Sequence, residues 1–191
     1  MIVGVKNAIL PVIFGLLLGF AATYLGFRDR EIGPVVVRPD EGPVSAPSAS
    51  TAGTEQERAM ILELESRLAE NPDDLILLTD IGNLYFTIQD YTRAIEYFRR
   101  GIALAPDDVN LHTDLGTALY YTEQTDEAIT EFETALALRP GHPQALFNMG
   151  VVLLETRNDT AGAIELWERL IEMNPGYPQS PMVQEEIDRL R

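Results

Sequence analysis

The sequence predicts an all-α chain: a solenoid of three helix–turn–helix repeats with a leading helix and a C-terminal capping helix, preceded by a single transmembrane helix. Three observations predict it. Pro72, Pro106 and Pro140 lie 34 residues apart, and Pro175 follows after 35. Between these prolines each unit carries two helix-period segments, the first with a glycine (Ile81-Gly82, Leu115-Gly116, Met149-Gly150). The second holds a small residue and an aromatic: Ala94-Ile95 with Phe98, Ala128-Ile129 with Phe132, Ala163-Ile164 with Trp167. Upstream, Ala8–Phe27 is a run of 20 residues without a charge.

The elements can be justified in chain order. After a short tail (1–7), the apolar run at 8–27 would rise about 30 Å as a helix, the thickness of a bilayer's hydrocarbon. Pro11 sits in its first turn, where a missing N–H costs little, and Tyr24 lies near its far end, where an amphipathic ring suits the interface. A cleavable signal peptide uses the same residues: Lys6, an apolar stretch to Leu18, and Gly19-Phe20-Ala21 as a cleavage site. The run continues past Ala21 to Phe27, which favours a retained anchor. Both readings send the rest of the chain across a membrane. Gly15, Gly19, Ala22 and Gly26 fall on one face, a stripe of small residues over which a second helix could pack in lipid.

Residues 28–53 read as a tether, with four prolines and three serines between Gly33 and Gly53 and no apolar period. A leading helix is expected over 54–72, with Thr54 as N-cap, Glu57 completing a capping box, and Met60, Ile61, Leu64 and Leu68 at helical spacing. The repeats follow at 75–108, 109–142 and 143–177. Gly82, Gly116 and Gly150 lie inside helices, where glycine costs about 1 kcal/mol against alanine. That cost is tolerable if the partner helix must approach closely, and the aromatics are expected to fill the space between neighbouring hairpins. Asp73-Asp74 and Asp107-Asp108 stand at helix starts, where acids complement the dipole. The third unit's extra residue is expected in its inter-helix turn, around 157–162. The last segment, 178–191, reads as a cap: Ser180 as N-cap, Pro181 in first position, and Met182, Val183, Ile187 and Leu190 on one face. One hairpin cannot bury its own apolar face, so the three must stack.

These residues resemble the tetratricopeptide repeat (TPR) family across residues 75–177. Leu78, His112 and Leu146 stand where the family usually has Trp, and Gly101 and Leu170 where it has Ala. The resemblance implies a concave groove lined by the first helix of each repeat. Mapped onto this sequence, it gives a peptide-binding set of Ile76, Thr79, Asn83, Phe86, Asn110, Thr113, Thr117, Tyr120, Phe147 and Val151, with Asn148 beside them. The family's clamp for a peptide carboxylate uses lysines and arginine in that groove; none stands at these positions, and the chain's only Lys is Lys6. A guest docked by apolar contact and backbone hydrogen bonds, an amphipathic helix or an extended peptide, suits the set better.

Composition narrows the function. No cysteine is present, which removes disulfides, Cys-ligated metal and cysteine nucleophiles. Two histidines, His112 and His142, are too few for a multi-histidine metal site. His112 is expected to face the core as a neutral ring and His142 to face solvent. Residues 1–53 are neutral in sum, so residues 54–191, with 26 acids against 10 bases, carry the whole −16. Such a domain repels nucleic acid and anionic lipid and leaves a basic partner open. There is no nucleophile elbow, phosphate loop or HExxH, so the sequence predicts no catalytic residue, no metal and no cofactor.

The layout of span, tether and repeats, entered by Leu-Glu-Ser-Arg-Leu-Ala-Glu-Asn-Pro-Asp-Asp, resembles the membrane-anchored TPR proteins of bacterial cytochrome c maturation. That resemblance implies a single-pass inner-membrane protein whose periplasmic domain holds apocytochrome c. The positive-inside rule, applied alone, weighs Arg28, Arg30 and Arg38 against Lys6 and the amino terminus and puts the domain in the cytoplasm. The alternative function is a scaffold that assembles an envelope complex or a homo-oligomer.

Overall fold

The computed structural model describes residues 49–191. Among them are eight α-helices: α1 (Ala49–Glu70), α2 (Leu75–Thr87), α3 (Tyr91–Leu104), α4 (Val109–Tyr121), α5 (Thr125–Leu138), α6 (Pro143–Arg157), α7 (Thr160–Met173) and α8 (Ser180–Leu190). No strand occurs among the described residues. The expected membrane span, with Gly15, Gly19, Ala22 and Gly26, lies outside them, as does the tether up to residue 48. No helix among the described residues is long and apolar enough to cross a membrane.

The chain divides into a unit ending at Arg58 and a unit from Ala59 to Arg191. The described part of the first is the opening of α1, helical from Ala49. That start precedes Thr54, so Thr54 lies inside the helix and is not its N-cap.

In the second unit α2/α3, α4/α5 and α6/α7 pair as hairpins. They stack through α3 on α4 and α5 on α6, while α4 also meets α6 and α8 packs on α7. Phe98, Phe132 and Trp167 are essentially inaccessible, as are Ala94, Ala128 and Ala163. Each aromatic lies over the glycine of its own hairpin. A Cβ built on Gly82 would sit 2.6 Å from Phe98 Cε1, on Gly116 2.9 Å from Phe132 Cε1, and on Gly150 2.3 Å from Trp167 Nε1. The rings therefore pack against the glycine inside each hairpin. Leu78, His112 and Leu146 are buried at the position where the family usually has Trp.

Aspartates cap four of the eight helix starts. Asp74 accepts from Leu77 N, Asp90 from Arg93 N, Asp108 from Asn110 N and Leu111 N, and Asp159 from Gly162 N. Gln89, Glu123 and Asn158 turn the three hairpins with positive φ of 64°, 62° and 51°. The third unit absorbs its extra residue in the helix: α6 has 15 residues where α2 and α4 have 13, and its turn is one residue shorter. The expected insertion in the turn is thus corrected; Asn158, which tolerates the left-handed region, closes the longer helix.

Both ends of the stack are covered. Ile61 and Leu68 of α1 are buried. Glu65 Oε1 accepts from Tyr85 Oη and Tyr97 Oη, each at 2.8 Å, tying α1 to the first hairpin. At the other end Val183 and Ile187 are buried, while Met182 and Leu190 are half-buried. The N-cap of α8 is Gln179, not Ser180; it makes no side-chain cap bond, and Ser180 Oγ is buried without a hydrogen-bond partner.

Candidate functional site

The first helices α2, α4 and α6 carry the positions expected to face a guest. Ile76 is 73% exposed, an unusual state for an isoleucine on a first helical turn. Thr79, Asn83, Phe86, Asn110 and Tyr120 are half-buried and reachable. Thr79 spends its hydroxyl hydrogen on Leu75 O at 2.9 Å. The other five expected residues are buried: Thr113, Thr117, Phe147, Asn148 and Val151.

Their burial has local causes. Thr113 and Thr117 bond back to Val109 O and Thr113 O, both at 2.8 Å, as helical threonines do when removed from water. Phe147 stacks on Trp167 with centroids 6.2 Å apart, and the Trp167 indole N–H donates to Phe147 O at 3.1 Å. Asn148 Nδ2 donates to Thr117 Oγ1 at 2.9 Å, joining α6 to α4, while Asn148 Oδ1 is buried without a partner. The accessible part of the expected set therefore belongs to the first two repeats, and the set from the third repeat packs inside.

His142 is corrected too: it is 6% exposed and caps α6. Its Nδ1 accepts from Ala145 N at 3.3 Å, and its Nε2 meets Asn110 Oδ1 at 3.2 Å. Burial, then the nearby Arg139, lowers its pKa to about 4, which keeps the ring neutral. His112 is buried as expected. Its Nδ1 lies 2.6 Å from Glu131 Oε2 and its Nε2 2.9 Å from Pro106 O. Among the described residues no group of three or more His, Asp or Glu could hold a metal ion.

The acids of the wall stand on helices without bases of their own, although Arg67 of α1 partly offsets the effect of burial at Asp80. Burial raises the pKa of Asp114 to about 7, with Asp108 adding to the effect, and burial raises that of Asp80 as well. Neither α2 nor α4 contains a Lys or Arg. The single base on α6, Arg157, is paired with Asp126.

An aromatic cluster forms where the first helices end. Tyr91 and Tyr121 stack with centroids 4.6 Å apart and planes 12° apart. Phe86 meets both edge-on, at 5.1 and 5.8 Å, and Tyr120 lies 5.4 Å from Tyr121. Tyr120 Oη donates to Glu155 Oε2 at 2.5 Å, bridging the second and third repeats. Burial, and for Tyr120 the Glu155 bond, raise the pKa of both tyrosines, so their hydroxyls keep their protons. Of this cluster, the sequence reading named Phe86 and Tyr120. Tyr91 begins a second helix and was missed because only first helices were sampled; its place directly after the turn, one residue past the Asp90 cap, was the available signal.

Two sequence models of the tetratricopeptide repeat match this chain, over residues 77–108 and 113–180. None of the curated proteins matches it in sequence. Among solved structures the chain is similar to MamA, at 21% identity over 73% of this chain and 85% of that one, with a TM-score of 0.61. It is similar to YrrB, described as a TPR protein with an unusual peptide-binding site, at 21% identity over 70% and 69%, with a TM-score of 0.61. It is also similar to the first TPR of Spaghetti (RPAP3) bound to the HSP90 peptide SRMEEVD, at 22% identity over 61% and 89%, with a TM-score of 0.55. At these identities the likeness concerns the fold.

Proposed function

Because this chain belongs to the tetratricopeptide repeat family, we propose that it is a non-enzymatic interaction module that holds a peptide or protein segment along the wall of α2 and α4. The observation that carries the reading is Ile76, 73% exposed, in line with the half-buried Asn83, Phe86 and Tyr120. An apolar side chain left in water gains by being covered, and an amide such as Asn83 can bond a guest's backbone. RPAP3 and YrrB, the similar structures whose descriptions mention peptides, support this use of the fold. The guest differs from the RPAP3 peptide, whose Glu-Glu-Val-Asp end is acidic; α2 and α4, which contain no Lys or Arg, offer such an end no matching base.

The finer reading is that residues 8–27 anchor the module in a bacterial inner membrane, that the repeats face the periplasm, and that the guest is apocytochrome c on its way to heme attachment. The layout of span, tether and repeats supports it. The test is binding of labelled c-type apocytochrome to the full 191-residue chain, with Asn83→Ala and Phe86→Ala as variants. Saturable binding that both variants weaken supports the reading; no binding, or binding indifferent to both, refutes it.

A second reading, the scaffold, is favoured by Leu104, Leu138 and Met173. They are 43%, 39% and 48% exposed at equivalent positions near the ends of the three second helices. A partner covering that row would be lost on Leu138→Glu and kept on Asn83→Ala.

A further inference from the structure

We propose that the cluster of Phe86, Tyr91 and Tyr121 with Glu155 is a seat for an arginine side chain of the guest, so that the guest is a basic peptide. This rests on the wall being a peptide site and adds the chemistry of what it selects. Elsewhere the chain supplies its own cations to its tyrosines: the Arg93 guanidinium lies 5.2 Å from the Tyr85 ring centre and that of Arg100 5.5 Å from Tyr97. At the edge cluster, no arginine of the described residues lies over any of the four rings. Tyr91 and Tyr121 are stacked on each other and only half-buried, so the stacked pair keeps a solvent-facing side. A planar guanidinium laid on that face extends the stack and is attracted to the ring's negative centre.

The carboxylate the guanidinium also needs is in place. Glu155 is exposed, and the Tyr120 hydroxyl fixes one of its oxygens from the neighbouring repeat, leaving the other to accept from a guest. Competing bases are committed: Arg157 to Asp126, and Arg93 to Asp90 at 3.5 Å and to Tyr85 Oη at 3.0 Å. Further along the wall Asp80 and Asp114 stand at equivalent positions of α2 and α4. With 26 acids against 10 bases in residues 54–191, the surrounding field draws such a guest in. Arginine is preferred over lysine because the ammonium cannot stack.

The test uses three Ala-rich helical peptides, identical except for Arg, Lys or Gln at every fourth position, titrated by fluorescence anisotropy onto the full chain. The Arg peptide is expected to bind tightest, Lys next and Gln weakest, with the Arg advantage shrinking as salt rises. Glu155→Gln and Tyr121→Leu are each expected to weaken the Arg peptide about 5- to 30-fold and to leave the Gln peptide unchanged. Tyr121→Phe, which keeps the ring, retains the Arg preference. Equal binding of the Arg and Gln peptides, or an Arg advantage untouched by both variants, overturns this assignment and leaves the peptide-holding wall standing. If none of the three peptides binds, the wall reading fails with it. Glu155 is exposed, so its Gln variant folds and keeps the test decisive even if Tyr121→Leu does not.

Discussion

Gly150→Ala is expected to destabilise the repeats although alanine is the better helix former. The added methyl carbon would lie 2.3 Å from Trp167 Nε1 and 2.8 Å from Cδ1 and Cε2. Trp167 is 2% exposed and cannot swing outward freely. Overpacking of a filled interior costs about 1–3 kcal/mol, and displacing the indole from Phe147 O adds about 1 kcal/mol. Helix propensity returns about 1 kcal/mol. The net is a loss of about 1–3 kcal/mol, or roughly 4 °C in Tm per kcal/mol for a domain of this size. Gly116→Ala, where the nearest ring atom is at 2.9 Å, should lose less. The assay is urea unfolding followed by far-UV circular dichroism and by the fluorescence of Trp167, the chain's single tryptophan. A Gly150→Ala protein as stable as its parent, or more so, would refute the close approach of helix and ring.

Other expectations follow from single groups. Asp114 has a folded pKa raised to about 7 from 3.8, so its ionisation penalises the fold fully above pH 7 and not at all below about pH 4. Asp114→Asn should therefore stabilise the chain by about 1–2 kcal/mol at pH 8, after allowance for solvent screening, with the gain vanishing by pH 4 in urea titrations. His142 has the opposite sign: its folded pKa of about 4 lies below 6.5, so its contribution is intact above pH 6.5 and falls as pH drops toward 4, by up to about 3 kcal/mol. His142→Asn, which keeps a capping acceptor, should remove that fall; an unchanged acid limb in the variant would contradict the buried neutral ring. Glu65→Ala removes the acceptor shared by Tyr85 and Tyr97 and should cost about 1–3 kcal/mol. Protease should then cut within α1 sooner than within α4, and equal rates would contradict the docking.

The repeat was legible because its spacing is long-range and redundant. Prolines every 34 residues, with Gly82, Gly116 and Gly150 in step, mark the hairpins before any helix is assigned. What the spacing did not carry was the direction of individual side chains. Thr113 and Val151 occupy wall positions by count, yet a threonine that bonds its own helix and a valine sealed at 1% exposure present nothing to a guest. His142 looked solvent-facing beside Pro143 because its cap role and its contact with Asn110, 32 residues away, depend on stacking. The aromatic edge joins α2, α3, α4 and α6, four segments that no local pattern connects.

The account's central claim is that the stacked first helices receive a guest. Hydrogen exchange of the full chain, with and without a saturating Arg-bearing peptide, measures this directly. Slowed exchange confined to α2, α4 and the turns at Phe86–Tyr91 and Tyr121 is the predicted result. Protection falling on α3, α5 and α7 around Leu104, Leu138 and Met173, with the first helices unchanged, would contradict it.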